Sequence, residues 1–214
     1  MSHRVLFRDV EVVPRLVQLR LPKEVLQDIL DRAAGERANV NASDPLGTPG
    51  TEMRRWTTRF LRDDLRLKEL GWHPCAHSQI EGIRNDHLKM KVAFMNTDQR
   101  TGIPSKIPSC VSERGSVAEL LINQNYAAAH PRLFDDQIEI DPILTYDFWY
   151  LCAFVSEKHI AAELSRPIEL TNALVSDYSE RVILWQPGEK PGLRRPDGVE
   201  EDFAEIELPT LKRR

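Results

Sequence analysis

The stretch QIEGIRNDHLKMKVAF, residues 79–94, decides the fold. Leu88, Met90, Val92 and Phe94 alternate with Lys89, Lys91 and Ala93, the period of two that places successive side chains on opposite faces of a strand. Asn85-Asp86-His87 supplies turn-forming residues after a preceding strand from about Gln79 to Arg84. A three-residue loop would set Ile80 against Val92, Gly82 against Met90 and Glu81 against Lys91, keeping the apolar groups together. A slip of one residue would turn Glu81 toward Met90 or Val92, so the register depends on the turn.

Working outward, a helix is expected from about Glu52 to Leu70, ended by Gly71, where a residue without Cβ can adopt the left-handed conformation. Before it, Val17, Leu19 and Leu21 alternate with Gln18 and Arg20 as in a half-buried strand. Pro22 then suits the first turn of a helix carrying Leu26, Leu30 and Ala33. Residues 35–50 are dense in turn formers and read as a surface loop, the best candidate for a mobile element. Downstream, Ser116-Val117-Ala118-Glu119 has capping-box spacing and opens a helix of about three turns.

Residues 145–167 remain open between two readings. Phe148, Leu151, Cys152, Val155 and His159 recur at helical spacing, whereas Ile160, Ala162 and Leu164 alternate. Arg181 to Trp185, and Ala204, Ile206 and Leu208 alternating with Glu205 and Glu207, read as strands around a loop at 186–202. Helices and strands mix without a βαβ rhythm. The expected fold is therefore α+β: one compact domain spanning 1–214, its mixed or mainly antiparallel sheet covered by two or three helices.

The chain of 214 residues is 41% hydrophobic and 29% charged, which excludes collagenous and wholly disordered classes. Its net charge of −4 argues against a protein that coats nucleic acid or anionic lipid over its whole surface. The charge is divided unevenly. Residues 1–125 hold 19 Lys and Arg against 16 Asp and Glu, whereas 126–214 hold 10 against 17, so an anion-binding surface is expected in the first part. Three cysteines without a CxxC pair do not form a secreted disulfide framework. With no signal peptide at the start and no apolar run of membrane length, a cytoplasmic location is expected.

Two constellations could carry chemistry. At about 100° per residue from Met53, Arg62, Arg55, Arg66 and Arg59 fall between about 180° and 240°, beside a seam of Trp56, Leu67, Phe60 and Met53 at about 300–360°. Guanidinium groups match phosphate oxygens in pairs, so this stripe could track a nucleic-acid backbone or an acidic partner. Asp63 and Glu69 would compensate part of it locally. The second constellation is the His-rich stretch after residue 72: His73, Cys75, His77, Glu81, Asp86 and His87, with Asp98 beyond the next strand, are ligand types for a divalent metal such as zinc. It matches no HExxH or CxxC signature, and Pro74 disfavours a helix that would pair His73 with His77.

Two further segments read as structural. Asn96 to Gly102 has the composition of a turn, and the aromatic run Tyr146, Phe148, Trp149 and Tyr150 reads as core. Around Cys110 there is no nucleophile elbow, and a pairing with His130 would depend entirely on the fold. The leading expectation is a non-enzymatic protein, needing no cofactor, that holds nucleic acid or an acidic protein through Arg55, Arg59, Arg62 and Arg66. A rival is a metal-dependent hydrolase, conceivably cleaving phosphodiesters, using His73, His77, His87, Glu81 and Asp98. A third is an assembly subunit that docks its acidic C-terminal region on a partner.

Overall fold

The structure is a computed structural model and describes residues 3–77, 80–129 and 146–191. Its elements run β1 (Arg4–Leu6), α1 (Asp9–Gln18), α2 (Lys23–Arg37), α3 (Thr48–Asp63), α4 (Leu65–Glu69), β2 (Trp72–His77), β3 (Ile80–Asn85), β4 (Met90–Asn96), α5 (Ser116–Ala129), β5 (Asp147–Val155), β6 (His159–Thr171) and β7 (Leu174–Pro191). The strands form one mixed sheet in the order β1-β7-β6-β5-β4-β3-β2. Among the described residues only β1–β7 and β4–β5 are parallel. The result is an α+β fold in which, among the described residues, β2 and β1 are the outermost strands.

Period-two alternation gives each central strand two buried faces. Val92, Phe94, Trp149, Leu151, Leu164 and Val182 point toward a core shared with Val12, Leu16, Leu26, Leu30, Met53 and Leu61 from α1, α2 and α3. The intervening residues Ala93, Met95, Phe148, Tyr150 and Cys152 join Leu121 and Ile122 of α5 on the opposite face. Burial on both faces makes β5 apolar at almost every position. This resolves the ambiguous segment as strand, since apolar residues at every position satisfy helical and strand spacing alike. Asn125 fixes α5 to the sheet, donating to the Phe148 and Pro167 carbonyls and accepting the Phe148 N–H.

Several expectations need correction. Val17 to Leu21 is not a strand: Val17 and Gln18 form the end of a helix that buries Val12 and Leu16 and leaves Val17 itself 65% exposed. Pro14 lies inside that helix, where it has no N–H to give, and tertiary packing outweighs the cost. The loop expected over 35–50 shrinks to 38–47, because α2 continues to Arg37 and α3 begins at Thr48. β7 runs through residues 186–191, where a loop was expected, while 192–202 and the strand expected at 204–208 lie outside the described residues. The helix expected at Ser116 is present, and the stretch of Ile160, Ala162 and Leu164, left open between helix and strand, is part of β6.

The hairpin exists with a different register. Ile83 faces Val92, Arg84 faces Lys91 and Asn85 faces Met90. Asn85 is a strand residue rather than a turn residue: its carboxamide oxygen accepts the His87 and Leu88 N–H groups, and its amide donates to the Leu70 carbonyl. Four residues therefore make the turn, and Lys89 takes a positive φ. The shift is odd in number, so it exchanges faces. Glu81 lands on the side facing α3 and Lys91 on the other, which separates the expected pair.

On the α5 side, the segment after β4 is clamped by a buried ion pair. Arg181 donates to Glu163 at 2.8 and 2.6 Å and to the carbonyls of Lys106 and Ile103 at 2.6 and 3.2 Å. Glu163 also accepts the Gly102 N–H and the Ser165 hydroxyl. Every oxygen of the carboxylate is occupied, the condition under which a buried pair is tolerable.

A candidate anion-binding cleft

The helix expected from 52 to 70 is two helices. Asp64 turns to an extended conformation, and its carboxylate accepts the Arg66 and Leu67 N–H groups, capping α4 as a new start. Burial pushes the Asp64 carboxyl upward, but hydrogen bonds from Arg66 and Leu67 and the Arg66 charge outweigh it and hold the group below the ordinary aspartate value. Arg66 is consequently occupied, with Asp64 at 2.7 Å and Asp28 at 2.5 Å. It leaves the expected stripe.

The other three arginines stay together and gain a fourth. Arg54, Arg55, Arg59 and Arg62 line a cleft of about 560 Å³ between α3 and the outer hairpin of β2 and β3, with Asp63, Pro74 and Glu81 completing the wall. Among the described residues β2 is the outermost strand on this side of the sheet, and the cleft lies beside it. Thr57, Thr58, Leu61 and Met53 form the buried side of α3. The helix is thus rotated from the expected seam: Trp56 and Phe60 are only half-buried and stack on each other at 5.5 Å. Arg54, at about 100° on the same wheel, is exposed and lines the cleft from outside the 180–240° arc, which is why a stripe drawn through that arc omits it.

Charge in the cleft is only loosely compensated. Arg55 meets Glu52 at 3.5 Å, Arg59 meets Asp63 at 3.7 Å and Arg62 meets Glu81 at 3.9 Å. Exposed pairs of this length are worth roughly 0–1 kcal/mol each and exchange readily for a better acceptor. Arg54 makes no ion pair among the described residues. The guanidinium planes of Arg55 and Arg59 lie over Trp56 at 5.3 and 5.1 Å, and Arg32 lies over Phe60 at 4.0 Å. These ring contacts hold the arginine stems without using their outward N–H groups.

Among the described residues, those of the expected metal site are not brought together. Glu81 stands in the arginine cleft, whereas His73 pairs with Arg84 in register, on the opposite sheet face, and is exposed. His87 is exposed in the turn before β4. Asp98 lies beyond the far end of β4, where its carboxylate accepts from the Arg100 side chain. His77 is placed only as the last residue of β2. Among the described residues no group of three or more His, Cys, Asp or Glu could hold a metal ion. Burial pushes the Cys75 and Cys152 thiols up, and Cys110 accepts the Val175 N–H in the core. His130 lies outside the described residues.

No protein-family model matches the chain, and no curated protein or solved structure is significantly similar to it. Among the described residues no helix is long and apolar enough to cross a membrane.

Proposed function

We propose that this protein is a binding protein for a polyanion, foremost the phosphate backbone of nucleic acid, held by Arg54, Arg55, Arg59 and Arg62 in the cleft beside β2. The observation that carries the reading is four guanidinium groups lining one open cleft with Asp63 and Glu81, their ion pairs to these two and to Glu52 at 3.5–3.9 Å. Residues four apart on α3 rise about 6 Å, so the arginines form a track along the cleft. An entering phosphate would displace the long carboxylate contacts and accept guanidinium N–H groups in pairs. Such contacts fix position and register without reading base sequence, so weak sequence preference and strong salt dependence are expected.

The test is a titration of purified protein with duplex DNA, single strands and polyglutamate at low salt, beside the variant Arg54→Gln/Arg55→Gln/Arg59→Gln/Arg62→Gln. Nucleic-acid binding by the wild type that the variant loses supports the reading. Equal binding by both, or tighter binding of polyglutamate than of nucleic acid, removes nucleic acid as the partner.

A further inference from the structure

The flank of α3 beside the cleft carries two large aromatic side chains that the core takes up only in part. Trp56 and Phe60 lie one turn apart, at about 300° and 340° on the helical wheel, and are half-buried. They stack on each other at 5.5 Å with 30° between the ring planes. Arg55 and Arg59, at about 200° and 240°, form the crest between these rings and the cleft that both arginines line. We propose that the polyanion is single-stranded nucleic acid, its phosphates on the cleft arginines and its bases stacked on Trp56 and Phe60. The proposal rests on the reading of the cleft as an anion site.

The arrangement couples the two kinds of contact. The Trp56 indole N–H donates to Glu52 at 2.8 Å, which holds the ring by its edge and leaves its faces for stacking. In the folded chain guanidinium groups use those faces: Arg55 and Arg59 lie over Trp56 at 5.3 and 5.1 Å, and Arg32 of α2 lies over Phe60 at 4.0 Å. All three are held only by long ion pairs, Arg55 with Glu52 at 3.5 Å, Arg59 with Asp63 at 3.7 Å and Arg32 with Asp28 at 3.8 Å. A guanidinium that turns onto a phosphate uncovers the ring beneath it. A base of the same strand is then the flat group at hand to replace it. An exposed guanidinium–ring contact is worth roughly two- to fivefold in an equilibrium constant, and a base on an aromatic ring roughly 5- to 150-fold, so the exchange favours the bound strand.

The form of the nucleic acid follows from its bases. In a duplex they are paired and stacked on one another, and bringing one out costs unstacking, so a duplex meets the arginines without reaching the rings. A single strand offers both contacts at once. Every base has a π-face, so stacking adds affinity without sequence preference, in keeping with backbone contacts that read no sequence.

The test titrates the full-length protein with a single-stranded oligonucleotide, an abasic strand of the same length and charge, and the matching duplex, all at one low salt concentration. Wild type is compared with Trp56→Leu, which keeps apolar bulk against the core without an aromatic face, and with Trp56→Tyr, which restores a face. Wild type should bind the base-bearing strand about tenfold more tightly than the abasic one. Trp56→Leu should lose about that factor for the base-bearing strand while its affinity for the abasic strand and the duplex stays within about twofold of wild type. Trp56→Tyr should recover most of the loss.

Equal binding of base-bearing and abasic strands by the wild type overturns the proposal. So does an equal loss for all three ligands in Trp56→Leu, because the ring would then act only by holding Arg55 and Arg59. In both cases, binding that Arg54→Gln/Arg55→Gln/Arg59→Gln/Arg62→Gln abolishes would retain the cleft as an anion site. Absence of wild-type binding to all three ligands would remove that reading and the proposal together.

Discussion

Arg181→Met isolates the clamp that holds the segment after β4 on the sheet. In the folded chain the Arg181 side chain is 4% exposed and that of Glu163 is fully buried. Removing the guanidinium leaves Glu163 with two donors, the Gly102 N–H and the Ser165 hydroxyl, and frees the Ile103 and Lys106 carbonyls. An uncompensated buried carboxylate costs roughly 3–5 kcal/mol. Glu163→Gln is expected to be similarly damaging, because it leaves the arginine charge buried without its carboxylate. The double substitution Glu163→Gln/Arg181→Met removes both charges, so it should cost less than the sum of the singles by roughly 2 kcal/mol or more.

Urea unfolding at neutral pH reads each difference as a change in midpoint at constant slope. Hydrogen exchange at the Gly102 amide should rise in both single variants, since its acceptor is Glu163. A cost below about 1 kcal/mol for Arg181→Met, or additive singles, would refute the reasoning.

Gly102→Ala should cost at least about 2 kcal/mol in the same assay, because φ is +74° and an added Cβ would stand 2.4 Å from the Trp185 carbonyl oxygen; a neutral effect would mean that the segment is not seated as described. Asp64→Ala should lose roughly 1–2 kcal/mol at neutral pH. The folded-state value of Asp64 is depressed, so this contribution is complete above the ordinary carboxyl value of 3.8 and is lost as pH falls through and below it. The gap between wild type and variant in an unfolding series should accordingly narrow toward pH 3, and a constant gap would contradict the ion-pairing role. Thr57→Val should stabilise by roughly 1–2 kcal/mol in thermal or urea unfolding, since the Thr57 hydroxyl is buried without a hydrogen-bond partner; a loss of stability would show that the hydroxyl is in fact satisfied.

The sequence made the sheet legible where alternation was strong and failed where tertiary context set the outcome. β4 and β6 showed period two and folded as strands, and Gly71 ended the helical region with φ +87°. The hairpin register could not be read, because Asn85 looks like a turn residue until its contacts with Leu70, His87 and Leu88 are visible. β5 resisted assignment because both its faces are buried. The break at Asp64 carried a signal that went unused: an aspartate before Leu65-Arg66-Leu67 is a helix cap, and treating it as one separates Arg66 from the other arginines. Arg54 had no comparable signal, since its role depends on how far α3 is rotated against β2.

The central claim, that the α3 arginines rather than every arginine in the region form the anion site, is tested most directly by salt dependence. Affinity for a duplex is measured between low and physiological salt for wild type, Arg54→Gln/Arg55→Gln/Arg59→Gln/Arg62→Gln, and Arg66→Gln. Each phosphate contact contributes about 0.9 to the logarithmic slope, so the quadruple variant should lose roughly 3–4 units while Arg66→Gln, already held by Asp64 and Asp28, keeps the wild-type slope. A slope unchanged in the quadruple variant, or reduced by Arg66→Gln as much as by a cleft arginine, would contradict it.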